Sequence, residues 1–302
     1  MSALYDTRQV RRAFSRAASG YDAAARLQHA VEARLLDMLD YRDDPALDRE
    51  APAVVVDLGC GPGSAAAAMQ KRWPKAQVLA LDLALPMLRA ARSSSKRRIN
   101  LFARRPQPVC ADARALPLAE NSVDVLFSNL CLQWVEDLDA VFAGFRRVLK
   151  PRGLLLFSTF GPDTLWELRE AFARADEVPH VSPFADIAGV GDALVRAGFH
   201  QPVLDREVET TAYPDLPALM RELRAIGATN ALAARRHTLT GRARFAAAER
   251  AYEPLRNCDG ALPASWETIT AMAWAPEPGA PIREGGIETA RFPANAIPVR
   301  KR

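Results

Sequence analysis

A parallel, doubly wound α/β fold is what this sequence predicts, and two observations carry it. From Ala53 onward short apolar runs alternate with helical repeats, and the first run ends in a glycine-rich turn. Earlier, in residues 7–40, Val10, Phe14, Ala17 and Tyr21, then Leu27, Val31, Leu35 and Leu39, recur at three- and four-residue steps. Gly20 divides that pattern into two helices. Asp40 to Pro52 is acidic and turn-rich, and reads as a linker. Val54–Asp57 is a strand, followed by the glycine turn and a helix through Arg72. Gln77–Asp82 is a strand, Pro86 to about Ser93 a helix, Pro108–Ala111 a short strand and Val123–Ser128 another strand. Leu138–Leu149 is a helix that Pro151 and Gly153 end, and Leu154–Phe160 is the next strand. Asp192–Ala197 is a helix stopped by Gly198, and Pro202–Tyr213 a strand. Leu216–Ile226 and Arg242–Tyr252 are helices, and Thr268–Trp274 is the last strand. The tail after Pro276, rich in Pro, Gly and Arg, reads as disordered.

Composition narrows the class. The 302 residues are 49% hydrophobic and 25% charged, as in a soluble globular protein. No apolar run approaches the roughly 20 residues of a membrane span. Arg8, Arg11, Arg12 and Arg16 interrupt any secretory core at the N-terminus. Cys60, Cys110, Cys131 and Cys258 form no C-x-x-C pair, and the four histidines are scattered. A disulfide framework and a metal site are therefore not expected, and a reducing cytoplasm is. Net charge is +4, with basic clusters at Lys96-Arg97-Arg98, Arg104-Arg105, Arg146-Arg147, Arg235-Arg236 and Arg300-Lys301-Arg302. Each is either solvated surface or a docking face for an acidic partner. No basic run interleaves aromatics, so nucleic acid is not an expected partner.

Val54 to Gly63 is the strongest signal: a buried strand, then Asp57-Leu58-Gly59-Cys60-Gly61-Pro62-Gly63. Ligands of open α/β sheets bind at the carboxyl ends of strands, where this turn lies. The dinucleotide fingerprint needs Gly or Ala where Ser64 stands, and no G-K-[ST] ending makes a phosphate loop. An aspartate before the turn repels a pyrophosphate but suits a cationic amino group. Asp82 ends the next strand, where an acid can hold ribose hydroxyls, and Asp112 follows the third, where it could meet adenine. One strand-end Asp is usually a cap or turn residue. Three at successive strand ends behind a glycine turn argue for a ligand.

These motifs resemble the class I S-adenosylmethionine-dependent methyltransferases. That resemblance implies a Rossmann-like seven-stranded sheet whose last strand is antiparallel. It places Asp57, Gly59, Gly61, Gly63, Asp82 and Asp112 around the cofactor, with Leu83 and Met87 on ribose and adenine, Ala113 beside the ring, and Asn129 nearby. A narrower resemblance covers nearly the whole chain. Val10 to Phe14, Tyr21-Asp22, Leu27-Gln28, Ser128 to Trp134, Phe157 to Leu165, Leu223 to Asn230 and Leu239 to Gly241 look like malonyl-acyl-carrier-protein O-methyltransferases of biotin synthesis. It implies an N-terminal helical lid over residues 1–45, a methyltransferase domain over 46–275 with a helical insertion at about 214–255, and a tail over 276–302. Ile187-Ala188-Gly189 depart from that pattern. His180 to Asp192 and Asn257 to Ala264 are also similar to the methyltransferase-like arginine hydroxylase that assists respiratory complex I assembly.

Methyl transfer from a sulfonium is an in-line displacement that requires alignment and exclusion of water. A malonyl carboxylate is already ionised, so no general base is expected, and His29, His180, His200 and His237 show no partner motif. The expected substrate pocket is Tyr21, Asn129, Gln133, Trp134 and Phe160. Trp134 and Tyr21 are equally readable as core aromatics. An arginine should pair with the carboxylate, but nothing in the sequence singles one out. The implied partner is an acidic carrier protein, greeted by lid basic residues and by Arg221 and Arg224.

Overall fold

A computed structural model describes residues 3–47, 49–95, 104–238, 241–277, 282–284 and 287–289. Seven strands build one sheet: β1 (Val54–Leu58), β2 (Gln77–Asp82), β3 (Gln107–Cys110), β4 (Val123–Ser128), β5 (Leu149–Phe160), β6 (His200–Tyr213) and β7 (Leu262–Trp274). They lie in the order β3-β2-β1-β4-β5-β7-β6. Neighbours from β3 to β5 are parallel, and β7 is antiparallel to both β5 and β6. This is the Rossmann-like, doubly wound sheet with its last strand antiparallel. Strands covered on both faces read as continuous apolar runs. Accordingly Val55, Val56, Val78, Leu81, Val125, Leu126 and Phe127 are all buried.

Ten α-helices surround the sheet: α1 (Thr7–Ala17), α2 (Tyr21–Ala24), α3 (Arg26–Asp37), α4 (Ser64–Arg72), α5 (Leu85–Ser95), α6 (Leu138–Val148), α7 (Trp166–Ala173), α8 (Ile187–Arg196), α9 (Leu216–Ala225) and α10 (Arg242–Tyr252). Phe142 and Phe145 of α6 and Leu194 of α8 pack with Leu126, Leu155 and Phe157 in one core cluster. Leu35 of α3 and Met69 of α4 pack with Val55, Val125 and Leu154 in another. A third cluster joins Phe172 of α7, Leu219 and Leu223 of α9 and Tyr252 of α10 to Phe160, Leu262 and Trp266. It lies where β5 ends and β7 begins, and it encloses a cavity. No described helix is long and apolar enough to cross a membrane.

Several boundaries differ from those the periodicity predicts. The N-terminal stretch breaks at Gly20 and again at the buried Ala25, giving three helices. The helical period does not predict α7, because the buried Glu167 interrupts its apolar face; Ser265 N and Oγ donate to that carboxylate. Asp186 caps α8 by accepting from Gly189 N at 2.7 Å, so the helix starts ahead of Asp192. β5 begins at Leu149 rather than Leu154, passing Pro151 and Gly153 through an irregular register against β4. β7 begins at Leu262 rather than Thr268 because β6 pairs with it to its end. In the tail read as disordered, β8 (Ile282–Glu284) and β9 (Ile287–Thr289) pair antiparallel. The rest of the tail after Glu277 lies outside the described residues, as do Lys96-Arg97-Arg98, Arg300-Lys301-Arg302, Leu239 and Thr240. Of the other basic clusters, Arg147 donates to the carbonyls of Leu116 and Leu118, and Arg235 and Arg236 pair with Asp6 and Asp176.

Phe142 has no exposed surface and touches the rings of Phe145, Phe157 and Phe199. Phe142→Ala should lower the unfolding free energy by about 3–5 kcal/mol. Urea titration should show a lower midpoint at an unchanged slope.

Candidate active site

Where strand order reverses in an open sheet, the loops leaving the strands turn apart and a crevice opens. Here the reversal falls between β1 and β4. The glycine turn leaves β1 at that point and Asn129 to Trp134 leaves β4. Gly59 N and Cys60 N both donate to Leu81 O, which folds the turn against the end of β2. Gly59 has φ +72°, and a Cβ there would lie 2.6 Å from Cβ and Sγ of Cys131. Only glycine lets the two loops touch.

Gly59, Gly61, Asp82, Leu83, Met87, Asp112, Ala113 and Asn129 line this cleft, as the sequence expects. Asp82 accepts from Gly61 N at 3.0 Å and Ala84 N at 2.7 Å. Burial pushes its carboxyl up to about 6, against the pull of those two N–H groups. Asp112 is gripped by the Arg114 guanidinium, at 3.0 and 2.6 Å, which lowers its pKa.

Two residues expected around the cofactor are not among those lining the cleft. Asp57 is buried, and its Oδ2 accepts from Ala66 N at 2.8 Å in the first turn of α4. The start of α4 thus holds one oxygen of this carboxyl. Burial, and then Glu32 nearby, push its pKa well up. Gly63 serves the turn instead: its φ is +83°, and a Cβ would lie 2.9 Å from Ala91 Cβ.

A second cavity, of about 510 Å³, lies beyond the cleft; Tyr21, Gln133, Trp134 and Phe160 line it and Asn129 does not. Phe14, Tyr21, Leu130 and Trp134 line both cavities and so form a shared wall. Trp134 stands edge-on to Phe14, 5.4 Å between centroids, and to Tyr5, 6.1 Å. It and Tyr21 are therefore wall residues, each facing two spaces. Burial, and then Asp82, push the Tyr21 hydroxyl pKa up. Asn129 fixes the wall from the cleft side, donating to Gln28 O at 3.0 Å and accepting from Ser158 Oγ at 2.7 Å. Gln133 donates to Leu130 O at 2.6 Å, while its Oε1 and Trp134 Nε1 have no partner among the described residues.

The sequence shows no partner for His180, but the fold supplies one. Its Nε2 lies 3.1 Å from Asp176 Oδ2, and its ring stacks on Phe172 at 4.0 Å. Arg236 and then His180 hold the Asp176 carboxyl far below the usual range. The four-residue spacing on one chain segment was the available signal. Glu32 also escaped notice: from α3 it accepts from Ser64 Oγ at 2.7 Å, beside the glycine turn.

A family model described as a methyltransferase domain matches residues 56–157. The malonyl-[acyl-carrier protein] O-methyltransferase of Xylella fastidiosa (strain M23) is 59% identical over 302 residues, 100% of this chain and 99% of that one. The chain belongs to this family. The match runs through residues 180–192 and 257–264, the segments that also resemble the arginine hydroxylase. The biotin biosynthesis bifunctional protein BioHC of Saccharophagus degradans is 39% identical over 265 residues, 86% of this chain and 45% of that one. The YcgJ protein from Bacillus subtilis shares the fold, with a TM-score of 0.57 at 13% identity over 81% of this chain and 99% of that chain.

The cleft of this methyltransferase fits S-adenosylmethionine. Asp82 offers acceptors for ribose hydroxyls, and Leu83, Met87 and Ala113 offer an apolar face for a flat ring. Because Asp82 titrates at about 6, above its unfolded value, its contribution to stability is complete below about pH 4 and is lost as pH rises through about 6. Accepting from ribose hydroxyls would draw on the ionised form. Affinity should therefore fall as pH drops through about 6, and Asp82→Asn should remove that step and weaken binding at neutral pH. Calorimetric titration with S-adenosylmethionine across this range reads both.

Proposed function

We propose that this protein moves the methyl group of S-adenosylmethionine onto the free carboxylate of a malonyl thioester held by an acyl-carrier protein. The product is the malonyl methyl ester that primes the pimeloyl chain for biotin. The shared wall of Phe14, Tyr21, Leu130 and Trp134 carries this reading, because it sets a cofactor cleft against a separate acceptor cavity. The name of the Xylella relative supports the acceptor, and that of the Saccharophagus relative supports the biotin route.

When bound, S-adenosylmethionine supplies a methyl group on a positively charged sulfur. A carboxylate oxygen forms the new bond to carbon, the carbon–sulfur bond breaks, and its electron pair stays on sulfur. Opposite charges cancel along this path, so a dry, low-dielectric site favours it. The wall's aromatic rings supply that dryness. The carboxylate needs no base, so His180 and Asp176 serve the shape of the cavity rather than a proton transfer. Tyr21 and the unpartnered Gln133 and Trp134 atoms are the polar groups beside the wall that can orient an acceptor.

Purified protein, malonyl-carrier protein and S-adenosylmethionine should together yield a carrier heavier by one methyl group in the mass spectrum. An unchanged mass, with cofactor binding intact, rejects the proposal. Arg221 is exposed on α9, 3.9 Å from Asp215, and is not among the residues lining the acceptor cavity. Arg221→Glu should raise KM for the carrier-bound substrate several-fold and leave KM for malonyl-coenzyme A unchanged. Steady-state kinetics with both donors reads the difference.

A further inference from the structure

The acceptor cavity is larger than its reacting group. Its 510 Å³ corresponds to roughly 17 water volumes, whereas a malonyl group has only a handful of heavy atoms. Phe160, Leu168, Phe172, Phe245 and Trp266 make its lining largely apolar. Yet Gln133 Oε1, Trp134 Nε1 and Thr229 Oγ1, on three lining residues, lack partners among the described residues. Buried polar groups left unpaired are costly. An aliphatic chain interrupted by amide and carbonyl groups would satisfy such a surface.

Charge is distributed unevenly around the cavity. Arg235 and Arg236 face it but are neutralised by Asp6 and Asp176. Arg224 also lines it, is the exposed residue among the lining, and makes no ion pair among the described residues. It marks the solvent side of the lining, on α9, while Tyr21 and Trp134 mark the side shared with the cofactor cleft. A carboxylate reacting at the edge of the wall leaves its trailing group to run along the cavity that Arg224 also lines.

Carrier proteins and coenzyme A present acyl groups on the same arm: a thioester, two amides and a terminal phosphate ester. We propose that the cavity takes this whole phosphopantetheine arm and that Arg224 pairs with its phosphate. The assignment rests on the proposed function. It separates Arg224, which reads a group common to both donors, from Arg221, which meets the carrier alone. A planar guanidinium suits a phosphate through paired hydrogen bonds.

The test compares donors with and without the phosphate. Malonyl-phosphopantetheine should show a KM about tenfold or more below that of malonyl-pantetheine. Arg224→Gln should abolish this preference, and Arg224→Lys should retain part of it. A preference that survives Arg224→Gln overturns the assignment. So does an equal loss for both donors, which would put Arg224 on the malonyl carboxylate. Binding of phosphopantetheine against pantetheine, followed by tryptophan fluorescence, repeats the comparison without turnover. No methylation of any malonyl donor would reject the proposed function, and the binding pair would still decide the role of Arg224. Circular dichroism of each variant guards against misfolding.

Discussion

The reversal of strand order between β1 and β4 is the constraint on which the site depends. A parallel sheet that winds both ways must part its loops somewhere, and it parts them there. The glycine turn and the Asn129–Trp134 loop then face each other across a gap set by the Gly59 backbone against the Cys131 side chain. Asp82, at the end of β2, closes one side by holding Gly61 N. The contact between Gly59 and Cys131 exists because the reversal sets β4 beside β1.

The N-terminal helices cover this gap with polar bonds as well as buried apolar side chains. Ser64 to Glu32, Asn129 to Gln28 and Arg235 to Asp6 each tie an N-terminal residue to the body. The apolar contact beneath α1 is a small cluster around Ala17, Ala84 and Met87. Each polar tie exchanges for water at little net cost. α1 therefore rests on a small cluster of its own, whereas α3 is anchored in the main core through Val31 and Leu35, and the polar bonds lie beside the cleft.

Much of the cofactor cleft was legible because its determinants are local. The glycine turn follows its strand directly, and Asp82 and Asp112 stand at strand ends fixed by the apolar runs before them. β2, β4 and α10 fall where periodicity places them. Asp57 was legible in position but not in direction: whether a strand-end carboxylate faces a cleft or a helix start depends on how closely the following helix approaches. The acceptor cavity was harder still. Its lining draws on α1, the β4 loop, α7, α9 and α10, segments distant in the chain whose meeting no periodicity records. Tyr21, Gln133, Trp134 and Phe160 came from family resemblance. His180, Thr229 and the solvent-side position of Arg224 required the fold.

The wall between cleft and cavity has a consequence for how the enzyme can diverge. Phe14, Tyr21, Leu130 and Trp134 each present one surface to the methyl donor and another to the acceptor. A substitution that reshapes one compartment reshapes the other. Acceptor range and donor affinity are thus not separately adjustable at these four positions, and new acceptors are more readily accommodated by changes along the outer lining. Lineages derived from this scaffold should keep the wall while the far side of the cavity drifts.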